Sequence, residues 1–251
     1  MEYGSFIAAA IGFAPAIALM LWTLQNYTYP RVEKPYFSDP TLFGMFAAGI
    51  IIGVVLHAVG VIFSASYLFV GFILEEAVKL VILNLPRYQR RADVPFYGFG
   101  LGAGMASALA FGAINDTLVN TNPDVPSMLI VIVYSVIISL LQISTGTTIG
   151  IGVARGQPFA FFGQAVVVHL AFALLLVPFK QIAVTGVNTL ALVLFAVAAV
   201  FIATYYYYLH SRLLPAYVKE AIANLQRQKE KERSKASEEQ GKARKIPRTK
   251  H

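Results

Sequence analysis

Seven apolar stretches run along this chain, at approximately 5–24, 42–63, 66–86, 96–119, 128–153, 159–178 and 187–209. About 20 such residues cross the roughly 30 Å of hydrocarbon in a bilayer as a helix. In lipid the backbone polar groups must be satisfied within the segment, so runs of this length have one regular form open to them. Charge agrees, since 13% of the residues are charged where a soluble domain carries about 25%. The expected fold is all-α: a polytopic transmembrane helix bundle over residues 1–210, with about seven spans.

Proline, Asn and Gly mark the connections "QNYTYPRVEKPYFSDP", "RYQRRADV", "NTNPDVPS", "RGQP" and "KQIAVTGVN". "FSAS" alone separates the second and third spans, which suggests a tight hairpin. Seven spans put the termini on opposite sides. With the N-terminus outside, Arg31, Lys34, Arg87, Arg90, Arg91 and Arg155 all fall in the cytoplasm, and Lys180 alone falls outside. The expectation is therefore an N-out, C-in protein of the cell membrane.

The net charge of +7 is concentrated in the last 41 residues, where twelve Lys/Arg face five Glu. Leu213, Leu214, Tyr217, Val218, Ala221, Ile222 and Leu225 recur there at helical spacing, which predicts a cytoplasmic amphipathic helix over 211–226. Residues 227–251 have little apolar content and read as a basic, disordered tail. Arg227, Lys229, Lys231, Arg233, Lys242, Arg244 and Lys245 would attract anionic lipid, at about 1 kcal/mol per basic residue near the surface. Phosphate attraction would serve RNA or a ribosome equally, and no aromatic interleaving favours that partner.

Against this background, "YLFVGFILEEAVKLVILNLP" at 67–86 stands out. Glu75, Glu76 and Lys79 lie near its centre, where one ionised group costs roughly 3 kcal/mol on insertion scales. Lys79 lies at i+4 from Glu75 and i+3 from Glu76, so it can neutralise one of them on the same helix. The other needs a partner from elsewhere. Residue counting puts Gln142 and His169 about half-way across their spans, at the same depth as the glutamates. Each alone reads as interhelical glue or packing, but together they can meet.

His57 is also intramembrane, as a second ligand or as packing. Asn115 and Asp116 lie nearer the outer end of the fourth span. His210, after "TYYYY", belongs with an interfacial aromatic belt. The glycines of "FYGFGLGAGMASALAFG" are followed by no phosphate-binding lysine, and they read as sites of close helix packing. Cysteine is absent, which excludes disulfides, thiolate metal sites and thiol nucleophiles.

"EEAVK" at 75–79 resembles the EExxK motif of the PrsW-like proteases, within the broader superfamily of the CAAX prenyl endopeptidase. The order of elements is similar over residues 66–180. "GFGLGAGMASALAFGAIND" follows the family's glycine-rich span, with Asn115 and Asp116 where a Glu-Asn pair is expected. "QISTGTTIG" keeps the third element's spacing, with Gln142 in the position of a histidine. "HLAFA" supplies the last histidine, His169.

The resemblance implies an intramembrane zinc metalloprotease acting on membrane-associated proteins. One of Glu75 and Glu76 would be the general base, and Lys79 would balance charge. His169, Glu76, Gln142 and Asp116 are the candidate metal ligands. Two further classes stay open. One is a non-catalytic relative that binds or scaffolds membrane proteins, which accommodates Gln142 and Asn115. The other is a carrier of a small solute or ion, since intramembrane carboxylates also line ion paths.

Overall fold

The computed structural model describes residues 2–33, 35–63, 68–120, 125–180 and 189–244, and these form helices and connecting turns without a strand. The helices are α1 (Glu2–Leu24), α2 (Asp39–Phe63), α3 (Leu68–Leu83), α4 (Val94–Asn120), α5 (Val125–Ala154), α6 (Pro158–Lys180), α7 (Thr189–Tyr208) and α8 (Leu214–Arg244). Six of the seven expected spans coincide with helices long and apolar enough to cross a membrane. This is a multi-pass helical architecture.

The exception is α3. It has 16 residues, a rise of about 24 Å at 1.5 Å per residue, and it is shorter than the expected 66–86. It ends at Leu83 because Pro86 cannot continue a helix and biases the residue before it towards extended backbone. The turn between α2 and α3, and parts of the connections before α5 and α7, lie outside the described residues. So does Lys34.

α4 is the centre of the bundle, with 83% of its apolar window buried. It packs most extensively on α5, α2 and α1. The alternating glycines explain how. A Cβ on Gly98 or Gly102 would overlap the α5 backbone at Gly146 or Gln142, while one on Gly100 or Gly104 would overlap the α2 backbone at Leu42 or Phe46. Residues two apart on a helix point about 200° apart. The 98/102 pair therefore seats α5 on one face and the 100/104 pair seats α2 on the opposite face. The packing role expected for these glycines is the one they take.

The α1–α2, α3–α4 and α5–α6 connections meet at one end of the bundle. Ser38 N–H donates to the Tyr97 hydroxyl at 3.4 Å, Arg90 N–H to the Val153 carbonyl at 3.4 Å, and the Tyr217 hydroxyl to the Ala92 carbonyl at 3.2 Å. Arg91, outside the spans, donates twice to Asp93. That hydrogen bonding raises its guanidinium further above its ordinary value.

Chain continuity at this end differs from expectation. α7 passes through a π-helical turn at Leu209–Leu213 directly into α8. Leu214, Tyr217 and Val218 are buried and Ala221 and Ile222 partly so, as the apolar spacing predicts, whereas Leu225 is half exposed. The helix also does not stop at residue 226. It runs to Arg244, because "LQRQKEKERSKASEEQGKAR" is rich in Gln, Lys, Glu, Arg and Ala, all strong helix formers. A segment without a face to bury can still be helical on propensity. Arg227, Lys229, Lys231 and Arg233 are exposed on it, Lys242 and Arg244 lie in its last turns, and Lys245 falls outside the described residues.

Candidate functional site

The intramembrane charges assemble between α3, α5 and α6. Glu75 and Glu76 point about 100° apart on α3, so they reach different neighbours. Glu76 shares a face with Lys79, and Lys79 Nζ donates to Glu76 Oε1 at 2.8 Å and to Thr145 Oγ1 of α5 at 2.7 Å. His169 of α6 joins the same carboxylate oxygen through Nδ1 at 2.6 Å. The Lys79 and Glu76 side chains have 0% exposure and His169 has 3%. The opposite charges and the imidazole N–H satisfy one another where water is excluded.

Glu75 takes its partner from α5, as Gln142 Nε2 donates to Glu75 Oε2 at 2.5 Å. The close seating of α5 on Gly102, against the Gln142 backbone, fixes where this amide starts. The same Glu75 oxygen lies 3.9 Å from His169 Nε2, and the Glu75 side chain keeps 13% exposure. Phe72, one turn before Glu76, lies against the imidazole with ring centroids 4.8 Å apart. The two glutamates thus flank one imidazole, Glu76 at Nδ1 and Glu75 towards Nε2. With Nδ1–H assigned as the donor to Glu76, Nε2 is an acceptor. Glu76 Oε2 and Gln142 Oε1 are buried acceptors without a donor among the described residues, and a water would satisfy either.

Glu75, Glu76, Lys79, Gln142 and His169 therefore come together as shared depth suggested. Asp116 does not. It lies 14 positions beyond Gly102 on α4, about 21 Å along the axis, where its carboxylate meets His57 Nε2 at 3.1 Å. Asn115 accepts from Ser5 of α1 at 3.2 Å. These residues belong to a separate, partly exposed contact between α1, α2 and α4. Thr145, which binds the lysine, was missed by sequence reasoning. Its signal was its position three residues after Gln142, and so on nearly the same face of α5.

The zinc implied by the resemblance can be tested against this geometry. Among the described residues no three His, Asp or Glu side chains are grouped to hold a metal. The arrangement explains why. The carboxylates stand at opposite edges of one ring, and the Lys79 ammonium already occupies the Glu76 oxygen that faces it. An ion at Nε2 would have the imidazole, Glu75 and at most an amide oxygen from Gln142. A catalytic zinc takes three protein ligands, drawn from imidazole, thiolate and carboxylate. The residues present do not fit it.

His210 was expected in an interfacial belt. Its ring lies 4.0 Å from Tyr206 and 5.4 Å from Phe99, centroid to centroid, and Nδ1 is 2.9 Å from the Tyr206 carbonyl. It is a packing residue of the π-helical turn.

Comparison with known protein families, curated proteins and solved structures finds no match to this chain.

Proposed function

We propose that the chain is a multi-pass membrane endopeptidase of PrsW-like type, acting on membrane-associated protein substrates, with His169 and Glu75 handling the attacking water. The observation that carries this reading is the 3.9 Å gap between Glu75 Oε2 and His169 Nε2, with Glu76 bonded to the other ring nitrogen. A water in that gap reaches both acceptors at hydrogen-bond length and turns its lone pairs outward. As its oxygen attacks a peptide carbonyl, its proton passes to Nε2, the ring nitrogen left open as an acceptor. Glu76 stabilises the imidazolium across the ring, as the acid of a catalytic triad does. The proton then goes to the leaving nitrogen as the C–N bond breaks. Lys79 holds the Glu76 carboxylate in place. The base is thus the histidine rather than a glutamate, and no metal enters the scheme.

The Gln142 bond to Glu75 favours a second reading, since it occupies the oxygen that would hold the water. In a non-catalytic relative that binds membrane proteins, the same cluster would serve as an internal polar lock.

Orientation belongs to the proposal as well. Arg31, Arg87, Arg90, Arg91 and Arg155 sit in the connections at the α8 end of the bundle, which supports placing that end in the cytoplasm of a cell-membrane protein. The exposed Arg227, Lys229, Lys231 and Arg233 support contact between α8 and anionic lipid.

The test is proteomic. Wild-type chain and the His169→Gln and Glu75→Gln variants are reconstituted with solubilised cell membranes, and new peptide N-termini are counted by mass spectrometry. Cleavages made by wild type and absent with both variants support the peptidase. Identical termini in all three favour the non-catalytic reading.

A further inference from the structure

Between the α3–α4 loop, the α5–α6 loop and α8 lies a cavity of about 650 Å³ whose lining includes Arg90, Arg91, Arg155, Gln157, Asn224 and Gln228. None of these belongs to the Glu76 cluster. Two of the arginines are matched, Arg91 with Asp93 and Arg155 with Glu220, each at 2.6 Å. The third is not: among the described residues the Arg90 guanidinium makes no hydrogen bond or ion pair. Its backbone sits at φ 59°, a left-handed conformation uncommon for a residue with a side chain. An exposed arginine held in an uncommon conformation, beside a polar cavity and with no partner among the described residues, is what a ligand-facing residue looks like.

We propose that this cavity binds a phosphate-bearing anion, with Arg90 making the direct contact. The guanidinium fork matches two phosphate oxygens at once. Arg155 can exchange its surface pairing with Glu220 for a second contact, since exposed ion pairs are weakly held. The side-chain amides of Gln157, Asn224 and Gln228 offer further donors. The lining carries three guanidinium groups against the carboxylates of Asp93 and Glu220, so a singly charged phosphodiester neutralises the site. The ends of α3 and α5 and the starts of α4 and α6 bound the two loops. This places the cavity at the level of lipid headgroups and makes an anionic phospholipid the natural source. A soluble phosphate ester shares the same chemistry. Lys229, Lys231 and Arg233 of α8 are not among the residues that line it.

The full chain is delipidated in detergent and titrated with dioleoyl phosphatidylglycerol, dioleoyl phosphatidylcholine or glycerol 3-phosphate, with bound ligand counted by native mass spectrometry. Arg90→Gly is the informative variant, because it removes the guanidinium and suits the left-handed backbone. Its thermal unfolding should match wild type. Phosphatidylglycerol should be retained in preference to phosphatidylcholine and bind about tenfold more weakly to Arg90→Gly. The combined Lys229→Gln, Lys231→Gln, Arg233→Gln variant should bind it as wild type does. Glycerol 3-phosphate displacing the lipid at equal concentration would assign the site to soluble phosphate esters. Equal binding by wild type and Arg90→Gly, loss confined to the α8 variant, or no binding of any phosphate by wild type would overturn the proposal.

Discussion

Lys79 and Glu76 form an ion pair at 2.8 Å in which neither side chain has any exposure. Removing one member of such a pair strands the other, at about 3–5 kcal/mol, whereas replacing both removes the demand altogether. Lys79→Met should therefore lower stability by about 3 kcal/mol, read from thermal unfolding in detergent. The double variant Lys79→Met/Glu76→Leu should recover at least half of that. A double variant as unstable as the single one would mean that packing, not charge, is what Lys79 supplies.

The meeting of Glu75, Glu76 and Lys79 with His169 and Gln142 was legible because residue counting fixes depth in a span, and depth is most of what brings intramembrane groups together. Which glutamate took the lysine was not legible, since both lie within a helical turn of it and the tertiary contact with His169 decides. Asp116 misled for a related reason. Its place in the motif order is a property of sequence, while its depth, at the far end of α4, puts it beside His57. The third span is shorter than the apolar count suggests, because Leu85 continues the apolar pattern past Asn84 while Pro86 ends the helix. The tail was read as disordered from its lack of a buried face, although its residues are good helix formers.

The glycine faces of α4 make their own prediction. Gly102→Ala would place a Cβ against the Gln142 backbone and force α5 away, at about 1–3 kcal/mol of overpacking. Gly44→Ala on α2 meets nothing within 4 Å and gains helix propensity of up to about 1 kcal/mol. Unfolding of the two variants side by side should show opposite signs. A neutral Gly102→Ala would mean that α4 and α5 are not in backbone contact there.

Asp116 and His57 pair with 51% and 27% of their side chains exposed. The pair is remote from His169, and asparagine keeps the shape and an acceptor for the imidazole. Asp116→Asn should therefore leave any proteolytic activity within about twofold of wild type. An activity loss matching that of His169→Gln would restore Asp116 to the functional site.

On the proposed PrsW-like reading a histidine is expected at position 142, where the Gln142 amide reaches Glu75. Gln142→His would put an imidazole where it can join His169 Nε2 and Glu75, completing the three ligands a zinc site requires. Zinc affinity, followed by titration calorimetry on the purified chain, should rise at least about tenfold over wild type, since the wild-type residues present only two good ligands. Equal affinity in both proteins would show that position 142 does not address that side of the ring.

The two adjacent glutamates should separate under the same conservative change. Glu76 sits between an ammonium and an imidazole with no exposure, so Glu76→Gln removes the anion that both neighbours need. Stability should fall by about 3 kcal/mol, and activity should fall with it. Glu75 holds one hydrogen bond, to Gln142, and keeps an accessible edge. Glu75→Gln keeps its shape, and stability should change by about 1 kcal/mol or less, while on the proposed peptidase reading cleavage should drop by at least about a hundredfold through loss of an acceptor for the attacking water. The separation of the two readouts is the informative quantity. A Glu75→Gln protein that is stable and fully active would remove Glu75 from the chemistry, leaving the Glu76–His169 pair as part of the frame that holds α3 to α6.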